Sequence, residues 1–303
     1  MSSTPSLEDL QDGCQAWIDG VENIYHYVPS LAAGAVFTVL FFLSAAGHLG
    51  RYALGRLTTS LLLALGAIIE LIGWAARIWS SKCPYNDSAF KTQVTLLVIG
   101  PVFFTAAIYL FLSQLIRHYG DQYSLLRPKA YLWIFISVDV LSLIIQAAGA
   151  GIASSQLSKP DGNPKRGSNI VAGGMIFQIV AMTVFVVCFA VFLRRLYSSL
   201  SSSGILRKHR FLIFAMTFSL VVIYVRNIFR AIQLIQGFTG YLFIHERFFI
   251  ALDGAMMFLA VAIFNVVDFV PTADTRATPH ERLEQLPSGG TETRPLELRE
   301  SRK

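Results

Sequence analysis

The chain has 303 residues, 54% of them hydrophobic and 15% charged, with a net charge of +6 and a mean hydropathy of +0.54. Soluble domains carry about 25% charged residues. The shortfall here lies in long apolar runs, which excludes an ordinary soluble domain and marks an integral membrane protein. The positive charge does not point to nucleic acid, because Lys and Arg cluster at the ends of the runs, where they set topology and meet anionic lipid headgroups.

Residues 1–27 contain Glu8, Asp9, Asp12, Asp19 and Glu22 and no Lys or Arg. That is the opposite of a secretory n-region, so the first apolar run is expected to act as its own targeting signal and to remain in the protein. Seven runs follow, at Val28–His48, Thr58–Trp79, Gln93–Ile116, Ala130–Ala153, Ile170–Leu193, Phe211–Ile235 and Phe248–Val270. Each is long enough to cross about 30 Å of hydrocarbon as a helix. Turn formers punctuate the short connections, among them Gly50, Gly55, Pro84, Gly120, Pro128 and Pro160-Asp161-Gly162-Asn163-Pro164. The predicted fold is an all-α, seven-transmembrane-helix bundle covering residues 28–270.

Orientation follows from the basic residues. Arg51, Arg56, Arg117, Arg127, Lys129, Arg194, Arg195, Arg207, Lys208, Arg210 and Arg276 fall on one side, eleven in all. Six fall on the other: Lys82, Lys91, Lys159, Lys165, Arg166 and Arg247. The richer side is expected to be cytosolic, which leaves an acidic extracellular N-tail. Residues 271–303 are polar, mixed in charge and broken by Pro279, Pro287, Pro295 and Gly289-Gly290, as expected of a disordered cytosolic tail. Cys188 lies within the fifth span as a small packing residue. Cys14 and Cys83 both fall on the outer side, where disulfides persist; a bridge pinning the N-tail over the second loop and two unrelated thiols are both open. Asn86-Asp87-Ser88 is a glycosylation sequon on that loop, close to the bilayer.

Ionisable residues at membrane depth are costly unless paired or wetted, so function is sought among them. They are Glu70, Arg77, Asp139, Arg226, Arg230, Asp253 and Asp268. At 1.5 Å rise per residue, Arg226 sits roughly 22 Å from the inner face and Asp253 roughly 8 Å from the outer one, at a similar level. Arg226, Arg230 and Gln233 share one face of the sixth span, and Glu70, Trp74 and Arg77 one face of the second. Asp139 and Gln146 share a face of the fourth, and Gln178 adds an amide in the fifth. Two arrangements are open. The polar residues line one hydrated cavity in the outer half of the bundle, formed by spans two, four, five, six and seven and serving as a substrate site. Alternatively they are interhelical hydrogen bonds that hold the helices together. Ala147 and Gly151, with Gly149 and Ala153, form small-residue pairs that permit close helix approach.

Several functional classes lack their residues. No cluster of His and carboxylate ligands gathers at one depth for a zinc hydrolase. No Lys lies within a span to carry a Schiff base, no phosphate-binding G-x-x-x-x-G-K-[ST] motif exists, and no paired base accompanies a serine. The chain is therefore expected to be no enzyme and to need no cofactor. A receptor of the common seven-helix type carries an acidic residue before Arg at the end of its third span; here the stretch is Leu115-Ile116-Arg117. Asn265-Val266-Val267-Asp268-Phe269 also lacks the proline expected near that point of the last span.

One set of motifs is shared with a known family. These are Glu70-Leu71-Ile72-Gly73-Trp74-Ala75-Ala76-Arg77, Gly100-Pro101-Val102-Phe103 with Ala106 and Tyr109, and Asp139 with Gln146-Ala147-Ala148-Gly149. Gly173-Gly174-Met175-Ile176-Phe177-Gln178, Arg226-Asn227-Ile228-Phe229-Arg230, and Glu246 with Asp253-Gly254 complete the set. In this order the chain resembles the fungal RTA-like proteins, or lipid-translocating exporters, over about Tyr27 to Pro271. Gln233 departs from the acidic residue expected one turn after the second Arg. The resemblance implies a fungal membrane protein that exports or flips sphingoid long-chain bases or confers resistance to toxic amphiphiles; the plasma membrane is the expected location, with the endoplasmic reticulum or vacuole as alternatives. Its partners are then membrane lipids or an amphiphilic small molecule. A seven-helix receptor that senses a lipid without moving it is the alternative. Glu70 or Asp253 is expected to hold an amine headgroup, with Arg77 as a second partner for Glu70.

Overall fold

The computed structural model describes residues 13–157, 163, 165–200 and 206–266, apart from residues 19, 22, 56, 238 and 239. Asp268 and the expected tail at 271–303 lie outside the described residues. Seven helices are long and apolar enough to cross a membrane. They are α1 (Leu31–Gly55), α2 (Thr58–Lys82), α3 (Asp87–Tyr119), α4 (Pro128–Leu157), α5 (Lys165–Leu200), α6 (Leu206–Gln236) and α7 (Glu246–Val266). Among the described residues there is no strand.

Every expected span has its helix, but most helices run past the apolar runs. Hydropathy reports only what the hydrocarbon demands, whereas a helix continues as long as its backbone finds partners. α3 begins at Asp87 rather than near Gln93 because Asn86 caps it, its side-chain oxygen accepting from Ala89 N at 2.9 Å. At 33 residues it is about 50 Å long, well beyond the bilayer core. α1 starts at Leu31, three residues later than its apolar run, with Ser30 Oγ accepting from Ala33 N at 3.3 Å.

The packing is that of a protein dissolved in lipid. Large apolar side chains point outward along several helices, including Val36, Val39 and Phe42 of α1, Trp133 and Ile144 of α4, Val180, Val184 and Val187 of α5, and Phe214 and Val221 of α6. Buried charges and amides lie inside. α2 packs extensively on both α1 and α3, α4 packs chiefly on α5, and α7 joins α6 to α1. Of the small residues singled out in the sequence, Gly149 and Ala153 make the close α4–α5 approach, against Gly167, whereas Gly151 faces open space. A Cβ on Gly149 would come within 2.9 Å of Gly167 O.

α7 is irregular. Residues Ile250–Ala255 form a π-helical turn between α-helical segments Glu246–Phe249 and Met256–Val266. Such turns insert one extra residue and re-aim the side chains around them; this one holds Asp253.

Residues 13–30 are not a free tail. Cys14 is joined to Cys83 at the end of α2. Asn23 Nδ2 donates to Tyr27 O at 2.9 Å and Pro84 O at 3.4 Å. The Tyr25 hydroxyl is buried 2.9 Å from Ser80 Oγ and 2.9 Å from Gln93 Oε1. The segment thus lies across the ends of α2 and α3.

Candidate functional site

Three helices bring four ionisable side chains to one place. α6 presents Arg226 and Arg230 one turn apart, the π turn of α7 supplies Asp253, and α2 supplies Glu70. Arg226 Nε donates to Asp253 Oδ1 at 2.7 Å with both residues buried, so the pair expected from their similar depth is formed. Arg230 Nε lies 3.9 Å from the same oxygen. Arg230 Nη1 donates to Gln233 Oε1 at 3.0 Å. The neutral amide thereby occupies the place where an acid was expected, and leaves Arg230 without a close counter-charge of its own.

α3, which sequence reasoning left out of the site, is part of it. Proline has no N–H, so Pro101 cannot bond the carbonyl four residues back, that of Leu97. Arg226 Nη2 donates to this Leu97 oxygen at 2.6 Å, which satisfies a carbonyl that would otherwise be orphaned in the bundle core. The neighbouring Gly100 is required for a different reason. A Cβ there would lie 2.8 Å from Glu70 Oε1 and 2.9 Å from its Cγ, so a larger residue forces the Glu70 side chain to shift.

Glu70 is the least engaged member of the cluster, in which Asp253 Oδ2 and Arg230 Nε also lack a hydrogen-bond partner. It is 1% exposed, and neither carboxyl oxygen has a hydrogen-bond partner. Trp74 Nε1, one turn along the same face, also lacks an acceptor. Arg226, Arg230 and Asp253 are the charges that act on Glu70.

Arg77 does not serve Glu70. It pairs instead with Glu246 at the start of α7, Nη2 to Oε1 at 2.6 Å, and the same Glu246 oxygen accepts from Ser30 N at 2.7 Å. Arg77 also donates to the Tyr27 hydroxyl at 3.2 Å. Its guanidinium lies 4.6 Å from the Phe249 ring centre, with Tyr25, Tyr27 and Trp74 around it. Burial pushes the Tyr25 hydroxyl up to about 12, against a smaller lowering by its Ser80 hydrogen bond and by Arg77. Tyr27 is raised for the same reason. An open cleft of about 460 Å³ borders this node, lined by Tyr27, Val28, Ile244, His245, Glu246 and Arg247. Spacing along α2 placed Glu70 and Arg77 on one face, and the preference for a near partner on the same helix hid the more distant Glu246.

The remaining site residues belong elsewhere, and the single cavity lined by spans two, four, five, six and seven is corrected accordingly. Asp139 Oδ2 accepts from Thr105 Oγ1 at 3.1 Å and Tyr109 at 3.0 Å, joining α4 to α3. Gln146 Nε2 donates to Ser142 Oγ at 2.8 Å and Gln178 Oε1 at 3.1 Å, while Ser142 Oγ donates to Gly174 O at 2.7 Å. Asp139 and Gln146 share a helix face yet face different helices. They act as interhelical connections, with Gln146 Oε1 alone left without a hydrogen-bond partner among their buried polar atoms. Asn86 is likewise committed: it is buried, its Oδ1 caps α3, and its Nδ2 donates to Gly13 O at 3.1 Å. A glycan on that nitrogen would displace residues 13–30. Among the described residues, no group of three or more His, Cys, Asp and Glu side chains is placed to hold a metal.

Fold and site together define a seven-span membrane protein whose α2, α3, α6 and α7 enclose a buried charge cluster. Residues 63–274 match the family described as RTA1 like protein, and the chain belongs to that family. It is 29% identical to the sphingoid long-chain base transporter RSB1 of Saccharomyces cerevisiae over 274 residues, covering 79% of this chain and 71% of the yeast protein. It is 28% identical to the protoporphyrin uptake protein 1 of the same yeast, covering 81% of this chain and 92% of that one. With the yeast protein RTA1 the identity is 26%, over 82% and 85% of the two chains. No solved structure matches the chain.

Proposed function

We propose that this protein is a transporter that moves amphiphilic lipids, such as sphingoid long-chain bases, or toxic amphiphiles across the membrane, and that Glu70, Arg226, Arg230 and Asp253 form its headgroup site. The observation that carries this is Glu70, whose two carboxyl oxygens both lack a hydrogen-bond partner, where Asp253 and Arg230 each leave a single atom unpaired. A polar headgroup crossing hydrocarbon needs polar partners at depth, while its tail is served by lipid or by apolar helix faces. Asp253 has one oxygen bound by Arg226, so Glu70, with both oxygens open, is the acid better placed to receive a headgroup. The names of the yeast relatives, one a long-chain base transporter and one a porphyrin uptake protein, support an amphiphilic cargo and a transport rather than enzymatic role.

The excess of Lys and Arg on one side supports an extracellular N-tail at residues 1–27 and a cytosolic tail at 271–303, on either side of the membrane domain at 28–270. Asp139, Gln146 and Gln178 support the site from outside it by fixing α3, α4 and α5. Arg77 borders its outer approach.

Purified protein in vesicles tests the proposal, with a fluorescent long-chain base placed in one leaflet. The intact protein is expected to speed its transfer to the other leaflet at least tenfold, and Glu70→Gln to abolish most of that gain. Binding without transfer would make the protein a lipid sensor. Neither binding nor transfer would end the proposal.

A further inference from the structure

We propose that transport is an exchange in which one proton leaves Glu70 as one cationic headgroup arrives; this rests on the headgroup site proposed above. A carboxylate taken wholly out of water costs several kcal/mol even after its surroundings relax, and a nearby opposite charge offsets this only with good geometry and hydrogen bonds. Glu70 has neither. Neither of its buried oxygens makes a hydrogen bond of good geometry, with the Trp74 indole N–H the one donor that acts on the carboxyl, and no cation lies within ion-pair distance of it among the described residues. Such a group is occupied by a proton or by a cation that a ligand brings.

The charged groups around Glu70 support the exchange. From α6, Arg226 is committed to Asp253 and Leu97 O, and Arg230 to Gln233 with a longer reach to Asp253. From α7, Asp253 completes the set. On α2 itself, Arg77 is taken by Glu246. The neighbouring α1 and α3 carry charged side chains only near their ends: His48 and Arg51 on α1, then Asp87, Lys91, Arg117 and His118 on α3. With Glu70 protonated, Asp253, Arg226 and Arg230 leave the cluster at a net charge of +1. With Glu70 ionised and one ammonium group bound, the total is again +1. The two occupants exclude each other and hold the same buried charge, so either can replace the other without leaving an uncompensated ion in the bundle. The bond broken is the Glu70 O–H, its proton goes to water, and the carboxylate left behind accepts from the headgroup.

Calorimetry on the purified full-length protein in mixed micelles reads this directly. Sphinganine is titrated at pH 6.5, where a primary amine carries its charge, in two buffers of different ionisation enthalpy. The difference in apparent heat counts the protons released per molecule bound. The expected count is about one for the intact protein, about one for Glu70→Asp and none for Glu70→Gln. Glu70→Gln imitates the protonated state and is expected to fold, which its thermal transition checks. Binding by the intact protein without proton release, or with the same release from Glu70→Gln, overturns the exchange and leaves the headgroup site standing. Absence of binding to the intact protein overturns both.

Discussion

Arg226 and Asp253 are the strongest pair in the core, and removing either partner has a calculable cost. Truncating one member of a buried ion pair leaves the other uncompensated and costs about 3–5 kcal/mol. The two single changes are not equivalent. Asp253→Asn keeps an acceptor near Arg226 and leaves its bond to Leu97 O intact. It removes the shared acid of both Arg226 and Arg230, however. Arg226→Gln leaves Asp253 with Arg230 at 3.9 Å but abandons the Leu97 carbonyl that Pro101 cannot satisfy, adding about 1–3 kcal/mol for a buried unpaired acceptor. At about 2–4 °C per kcal/mol for a domain of comparable size, each single change is expected to lower Tm by roughly 6 °C or more. The double variant leaves no unpaired charge between them and should recover part of the loss, with a coupling of about 2 kcal/mol. Thermal unfolding of all four proteins in one detergent measures the cycle. Single effects that add to within about 0.5 kcal/mol would falsify the pairing.

Gly100→Ala drives a methyl group against the Glu70 carboxyl, so leaflet transfer in vesicles is expected to fall at least tenfold. Pro101→Ala supplies the missing N–H to Leu97 O and competes with Arg226; if Arg226 holds that carbonyl, the variant should lower transfer while leaving Tm equal or higher. Reduction of Cys14–Cys83, or Cys14→Ser, releases residues 13–30 from α2 and is expected to cost about 2–4 kcal/mol; mass mapping of unreduced peptides should find the two cysteines joined. Tyr25 ionises at about 12 when folded but near 10 when unfolded. The unfolded chain thus binds fewer protons between those values, and stability falls as pH rises from 10 to 12, by about 2–3 kcal/mol. Tyr25→Phe should remove that slope, read from unfolding midpoints across the range.

The seven spans are legible in the sequence because the bilayer imposes a local rule. About twenty apolar residues are needed whatever the neighbours are, so each helix announces itself without reference to the others. The ionisable residues at depth are legible for the same reason, since each stands out against its apolar run. Helical periodicity further places Glu70 with Arg77, and Arg226 with Arg230 and Gln233, on common faces. Helix ends are less legible, because Asn86 and Ser30 set them through capping rather than through hydropathy.

Partners are another matter, because they depend on how each helix is rotated and how deep its neighbour sits. Arg77 meets Glu246 rather than Glu70 because α7 begins level with the C-terminal end of α2. Asp253 meets Arg226 through a π turn that no periodicity in α7 discloses. Asp139 and Gln146, on one face of α4, are divided between α3 and α5 because that face spans the seam between two neighbours. The sequence by itself determined which residues must find polar company in the bilayer. Only the tertiary structure decided which company each of them keeps, and that Glu70 keeps none, because pairing in a bundle is fixed by axial rotation and relative depth, neither of which is a local property of a chain.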